Sequence, residues 1–164
     1  MRIQLSMYAS SGVSTQLEDL RLLLDPVQSS LIPAHVTLCR EEELTAPVLH
    51  DLRSRLAHAS MAQITLVFGP AQAFGDHGIL LPCIQGEPQF QALREHVLGR
   101  RPERHQTPHL TLAHPRNPKA PGNHIAHTAL LPSELRIHFN NVRLIEQREL
   151  RPWRVMEMFT LGDH

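Results

Sequence analysis

The chain has 164 residues, 41% of them hydrophobic and 20% charged, enough for one ordinary domain or two small lobes sharing a core. Sixteen basic residues balance sixteen acidic ones, which excludes the overall electrostatic footprint of a protein that coats nucleic acid. No apolar run approaches the roughly 18 residues of a membrane span, the first residues alternate where a signal peptide would be apolar, and Cys39 and Cys83 stand at no metal-ligand spacing.

Sparse cysteine use fits a reducing compartment, so the expectation is a soluble cytoplasmic protein. In chain order, Arg2 to Tyr8 alternates Ile3, Leu5 and Met7 against Arg2, Gln4 and Ser6, the pattern of a half-buried strand. Ser10, Ser11 and Gly12 break it. Thr15 and Glu18 have the spacing of a capping box, and Leu17, Leu20 and Leu24 follow at helical spacing until Asp25-Pro26 disfavours continuation. A short strand over Ala34 to Arg40 comes next. Thr45, ahead of Pro47, opens a helix whose buried stripe is Val48, Leu49, Leu52, Leu56 and Ala59.

Gln63 to Phe68 reads as a strand ended by Gly69-Pro70. Ala71 to Phe74 and Ile79 to Ile84 form a hairpin across Gly75-Asp76-His77-Gly78. Glu87-Pro88 starts a third helix with Phe90, Leu93 and Val97 inward and Gly99 as its stop. Pro108 to His114 is another short strand, followed by a loop punctuated by Pro115, Pro118 and Pro121. Asn123 is placed to cap a short helix carrying Ile125, Ala129 and Leu130. Two strand-like runs close the chain, Leu135 to Gln147 and Trp153 to Leu161, with Asn140-Asn141 read as a bulge in the first. This alternation predicts an α/β protein of α+β type, with antiparallel-rich sheets backed by helices.

Two of these strands match each other. His35-Val36-Thr37-Leu38-Cys39 answers His109-Leu110-Thr111-Leu112-Ala113, with the two motifs separated by nearly half the chain, and an internal duplication is the natural inference. Side chains alternate along a strand. His35, Thr37 and Cys39 are therefore expected on one face, with Val36 and Leu38 behind, and His109, Thr111 and Ala113 repeat the arrangement. Since the aliphatic faces claim the helices, the histidines and threonines should line a cleft between two pseudo-symmetric lobes of a single domain over residues 1–164. On this alternation His114 falls on the Leu110 side.

Two His-x-Thr strands half a chain apart resemble the signature of the two-histidine (2H) phosphoesterase superfamily, which includes 2′-5′ RNA ligase-like and cyclic phosphodiesterase-like enzymes. The resemblance extends through Gln63 to Ile84 and the helix after it, and to Val142 to Arg148, which looks like the family's penultimate strand. It implies cleavage of a 2′,3′-cyclic or 2′-5′-type nucleotide phosphodiester without metal or cofactor. His35 and His109 would be the general acid and base, since an imidazole of pKa about 6.5 serves either role near neutrality. Thr37 and Thr111 would hold the phosphate oxygens.

Other residues compete for roles. Cys39 beside His35 resembles a nucleophilic pair, but its counterpart is Ala113, so it reads as packing. His105, His109 and His114 lie close in sequence, as do His124 and His127. Pro108 interrupts any helix joining the first of these, and no carboxylate or thiolate recurs at a matching distance, so no metal is expected. Arg40 and Arg116 sit just past the motif strands, placed to attract a phosphorylated ligand, although arginine at a strand end is ordinarily just solvated. Phe74, Trp153 and Tyr8 are the aromatics available to stack on a base, with core packing the expected role of Phe74. The partners expected are a phosphorylated nucleotide or short RNA and no membrane, for a protein acting as a monomer. The alternatives are an RNA 2′-5′ ligase or RNA-end-processing enzyme in the same cleft, a non-catalytic nucleotide- or RNA-binding module, and a zinc-dependent hydrolase.

Overall fold

A computed structural model describes residues 1–9, 11–57 and 61–162. The elements in order are β1 (Arg2–Tyr8), α1 (Ser11–Leu24), α2 (Pro26–Leu31), β2 (His35–Cys39), α3 (Ala46–Ala57), β3 (Ile64–Phe68), β4 (Gln72–Phe74), β5 (Gly78–Gln85), α4 (Glu87–Leu98), β6 (His109–Ala113), β7 (Leu135–Phe139), β8 (Asn141–Gln147) and β9 (Arg154–Thr160). Short 3-10 turns cover Glu41–Glu43 and Ile125–Leu130.

Two antiparallel sheets result. The first has the order β2-β1-β8-β9. In the second, Ile79 of β5 pairs with Ala113 of β6 on one flank and Ala73 of β4 on the other, and β3 continues the β4 flank with β7 beyond it. β2 and β6 are thus both edge strands, and they lie against one another between the sheets. The helices cross over. α1 packs against β6, and α4 against β2 and β3. Leu17, Leu20 and Leu24 of α1 and Phe90, Leu93 and Val97 of α4 join Val36, Leu38, Leu110 and Leu112 in the core, each such side chain contributing about 1.5–3 kcal/mol. The expected α/β architecture, two lobes of antiparallel sheet backed by helices around a cleft, is the one found.

Several local expectations are corrected. α1 begins at Ser11, a turn before the anticipated capping box, so Thr15 lies inside the helix; the Glu18 carboxylate instead accepts from the Ala34 amide and from Arg21. Asp25-Pro26 ends α1 but also starts α2, because proline is tolerated at the first helical position and the Asp25 carboxylate caps the Gln28 amide at 2.9 Å. Asn140 is no bulge. It is where the chain leaves the second sheet after β7 and enters the first as β8. Asn123 does not cap the next turn; its buried amide donates to the carbonyls of Leu24 and His77, and Ile125 and Leu130 on that turn are exposed. The stripe of α3 is buried at Val48, Leu52 and Leu56, while Ala59 and Ser10 lie outside the described residues.

Both α1 and α4 bury an arginine after a paired leucine, Leu20-Arg21 and Leu93-Arg94. Arg21 bonds Glu18 at 2.7 Å and the Ile32 carbonyl at 2.8 Å. Arg94, 0% exposed, pairs with Glu43 at 2.6 Å and the Gln106 side-chain carbonyl at 3.0 Å, and donates to the Leu38 carbonyl. Partial burial opposes ionisation of Glu43, but hydrogen bonds from Arg94 and the Arg40 amide outweigh it and hold the carboxyl below its usual pKa. Its contribution to stability is therefore complete above about pH 4.5 and is lost as pH falls through the lowered value. Glu43→Ala, which leaves a buried guanidinium unpaired, is expected to cost about 3 kcal/mol in urea unfolding; a loss below about 1 kcal/mol would show the pair to be dispensable.

Candidate active site

Each motif strand begins at its histidine. His35 and Thr37 are partly exposed between buried Val36 and Leu38, and His109 and Thr111 between buried Leu110 and Leu112. A register shift then interrupts both strands at the same point. Thr37 pairs with Ser6 but Cys39 with Leu5, and Thr111 pairs with Leu80 but Ala113 with Ile79. An extra residue in one strand reverses which face the following side chains take. Cys39 and Ala113 therefore turn into the core and are fully buried, so Cys39 does not share the His35–Thr37 face as the simple alternation predicts. Burial pushes its thiol up to about 12, consistent with packing and not with nucleophilic chemistry.

The same shift overturns the expectation for His114, which lines the cleft with His109. The cleft holds about 660 Å³ and is walled by both histidines, both threonines, Arg40, Arg116 and Trp153. The sequence-predicted site residues are thus brought together. Tyr8 and Phe74 are not on its wall. Tyr8 sits 6.3 Å from the His35 ring and under the Arg143 guanidinium at 4.4 Å.

Hydrogen bonds decide the tautomers. His35 Nδ1 lies 2.8 Å from the Pro33 carbonyl and His109 Nδ1 lies 3.0 Å from the Thr107 carbonyl. A carbonyl can only accept, so in each neutral ring Nδ1 carries the proton and Nε2 keeps its lone pair. His114 is the reverse. Its Nδ1 accepts the Arg116 amide at 3.1 Å, which leaves its proton on Nε2 as a donor. Desolvation lowers His35 to about 4, with Arg21 and His109 adding to the effect and the Pro33 bond opposing it. Desolvation, then Arg116, also lowers His114.

The cleft depends on residues that motif reading missed. Gln106 donates from its side chain to the Thr37 carbonyl at 2.6 Å. Buried Asp25 accepts from the His114 amide at 2.9 Å and from the Asn117 amide group. Ser6, Gln4 and Arg2 form the cleft-side face of β1, and Ser6 is fully buried beside Thr37. A polar face on a strand next to a motif was the available signal for these three; none marked Gln106 or Asp25. Among the described residues, no three His, Cys, Asp or Glu side chains are grouped to hold a metal ion, and no helix is long and apolar enough to cross a membrane.

The family model described as the 2′-5′ RNA ligase superfamily matches residues 10–151. The chain belongs to that superfamily of phosphoesterase and ligase-like enzymes, as the two His-x-Thr motifs indicate. Among solved structures, E. coli LigT complexed with 3′-AMP is 13% identical with a TM-score of 0.59, covering 99% of this chain and 98% of that one. LigT complexed with NADP+ is 15% identical with a TM-score of 0.65, covering 98% and 97%. TT0787 of Thermus thermophilus is 21% identical with a TM-score of 0.57 over the whole of both chains. At these identities the likeness is one of fold. A search of the curated proteins finds no match.

Nitrogen-15 spectra of the side chains should show neutral His35 and His109 protonated at Nδ1 and neutral His114 at Nε2. His35 should remain neutral until about pH 4. The unfolded ring binds its proton near 6.5, so the folded state should lose stability as pH falls from about 6.5 to about 4. A His35 that titrates near 6.5 would contradict the structure.

Proposed function

We propose that residues 1–164 act as one two-lobed, metal-independent phosphoesterase that hydrolyses a 2′,3′-cyclic or 2′-5′-type nucleotide or RNA phosphodiester. The observation that carries this is the pair of Nδ1-tethered histidines lining one cleft, each with a threonine two residues on that lines it too. Hydrolysis needs one group to take the proton of the attacking water and another to protonate the leaving ribose oxygen. His35, held neutral by desolvation, is suited to be the base. His109 acts in its imidazolium form, giving its Nε2 proton to the leaving oxygen and ending the step neutral with Nδ1–H still on the Thr107 carbonyl, and Thr37 and Thr111 donate to the non-bridging oxygens as charge builds on phosphorus. As water adds, its oxygen bonds phosphorus and the P–O bond to the 2′ or 3′ carbon's oxygen breaks, leaving a phosphomonoester. Arg40 and Arg116 supply positive potential at the cleft, and the superfamily's membership of phosphoesterases and the nucleotide complexes of LigT support a nucleotide substrate. The protein acts in this reading as a cytoplasmic monomer.

The test is incubation with 2′,3′-cyclic nucleotides and a short RNA ending in a cyclic phosphate, with and without EDTA. Turnover to a phosphomonoester, unchanged by EDTA, is expected. His35→Ala and His109→Ala should each lose at least about a hundredfold in rate, and Thr37→Val or Thr111→Val about tenfold or more. The acid limb of kcat/KM should lie near pH 4, because His35 must be neutral to accept a proton. Near-full turnover by either histidine variant would sink the assignment, EDTA-sensitive turnover would return the zinc-dependent hydrolase, and binding without turnover would leave a binding module.

A further inference from the structure

Beside the cleft lies a second, smaller cavity of about 270 Å³, and the two share part of a wall, because Arg40 and Glu42 line both. Beyond them the second cavity is bounded by the buried Arg94–Glu43 pair and by the segment that leads from α4 back to β6. That segment is fastened to α4 along its length. Arg94 donates to the Arg104 carbonyl at 3.5 Å, Gln91 donates to the Gln106 carbonyl at 2.8 Å, and Glu87 meets His105 at 2.6 Å. Arg104, on the cavity wall, therefore stands on a backbone that does not depend on the ligand for its position.

Most of the charges here cancel in pairs. Arg94 is matched by Glu43 at 2.6 Å and Arg100 by Glu103 at 3.5 Å, while His105 is engaged by Glu87. Two cations remain. Arg40 and Arg104 are exposed and form no salt bridge among the described residues, and Glu42 is the one carboxylate on the wall left to oppose them. Behind them the Nε–H of Arg94, a side chain 0% exposed, has no hydrogen-bond partner. The balance of the cavity is positive, and its unpaired groups are hydrogen-bond donors of the kind that takes a phosphate.

The spacing makes this a different phosphate from the one in the cleft. Arg40 lies three residues beyond Thr37, on the order of 10 Å along an extended chain, whereas a hydrogen bond reaches only about 3 Å. A ligand that satisfies both places must carry two phosphates joined by a short linker. The end of an RNA strand has this form, with one phosphate on the 2′ and 3′ oxygens of the last ribose and another on its 5′ oxygen. A cyclic mononucleotide has the first alone.

We propose that the cavity between Arg40 and Arg104 binds the phosphate on the 5′ oxygen of the terminal nucleotide, so that the substrate preferred is the 3′ end of an RNA strand over a free cyclic mononucleotide. This rests on the phosphoesterase reading and sharpens it. Arg104 is a binding residue in this assignment and takes no part at the reacting phosphorus.

Adenosine 3′,5′-bisphosphate differs from 3′-AMP by this one phosphate, so calorimetry on the pair isolates the second cavity without needing turnover. The bisphosphate should bind about 10-fold more tightly, the scale of one charged hydrogen bond. Arg104→Glu should erase that advantage and Arg104→Lys should keep part of it, with 3′-AMP affinity unchanged in both. Plotted against the logarithm of salt concentration, the logarithm of bisphosphate affinity should fall more steeply by about 0.7, the increment of one phosphate, and Arg104→Glu should remove the difference. In turnover, a dinucleotide ending in a cyclic phosphate should exceed the cyclic mononucleotide in kcat/KM, and Arg104→Glu should abolish the excess while leaving the mononucleotide rate intact. Equal affinity of the wild-type protein for the two ligands overturns the second phosphate site alone, as does an Arg104→Glu variant that keeps the advantage or weakens both ligands together. Failure of the wild-type protein to bind either ligand overturns the phosphoesterase reading with it.

Discussion

The open edge of β2 is the constraint on which the cleft depends. β2 pairs with β1 on one side only, so its other side presents unpaired carbonyls in the middle of the molecule, where an unsatisfied group costs about 1–3 kcal/mol. No strand is available to cover them. Instead Arg94 donates to the Leu38 carbonyl and Gln106 to the Thr37 carbonyl. A fully buried guanidinium carries a desolvation penalty of several kcal/mol, and it is offset only because Glu43, Gln106 and Leu38 all accept from the same group. The position of Thr37 in the cleft is consequently set by residues from the second half of the chain.

The dependence runs the other way as well. Asp25, from the first half, is buried and accepts from the His114 amide and from Asn117, which fastens the segment leaving β6. The helices follow the same exchange, with α1 on β6 and α4 on β2. A duplicated pair of lobes would be free to move apart if each packed only on itself. Here each half supplies the polar group and the helix that hold the other half's motif, so the gap between the two histidines is fixed by buried hydrogen bonds on both sides. The acid–base roles proposed for the two histidines would require such a fixed gap, since a misplacement of about 1 Å can cost on the order of a hundredfold in rate.

How much of this was legible beforehand follows from which signals are local. Alternation and helical spacing are properties of neighbouring residues, and they placed β1, β2, β5, β6, α3 and α4 and the buried leucines of α1. The His-x-Thr repeat located the cleft for the same reason. What failed were features decided by partners distant in sequence. Asn140-Asn141 interrupts the alternation of the run from Leu135 to Gln147, but an interruption fits a bulge within one strand as well as a change of sheet, and only the distant partners show that the two halves join different sheets. The bulges after Thr37 and Thr111 arise from the register with β1 and β5, so alternation alone sent Cys39 to the cleft and His114 away from it, the reverse of what is found. Gln106 and Asp25 look like ordinary polar residues near prolines. Their importance comes from carbonyls and amides supplied by the opposite half of the fold.

Why each histidine stands first in its strand can be answered from the same accounting of backbone groups. A histidine inside a ladder finds the nearby carbonyls already engaged. At the strand start the ladder's first bond is made one residue earlier, where the Ala9 amide takes the Ala34 carbonyl at 3.1 Å and the Cys83 amide takes the Pro108 carbonyl at 3.2 Å. The carbonyl two residues before each histidine, at Pro33 and Thr107, is left to receive Nδ1–H. Backbone, without any carboxylate partner, thereby selects the tautomer. A carboxylate in that position would raise the imidazole pKa by favouring its charged form, whereas a neutral carbonyl orients the ring and leaves desolvation to dominate at His35. The prolines sharpen the geometry, since the residue before Pro108 is confined to extended backbone and cannot swing its carbonyl into a helical turn. A neutral ring fixed in this way carries its lone pair on Nε2, and the cost of orienting it has been met in folding the strand.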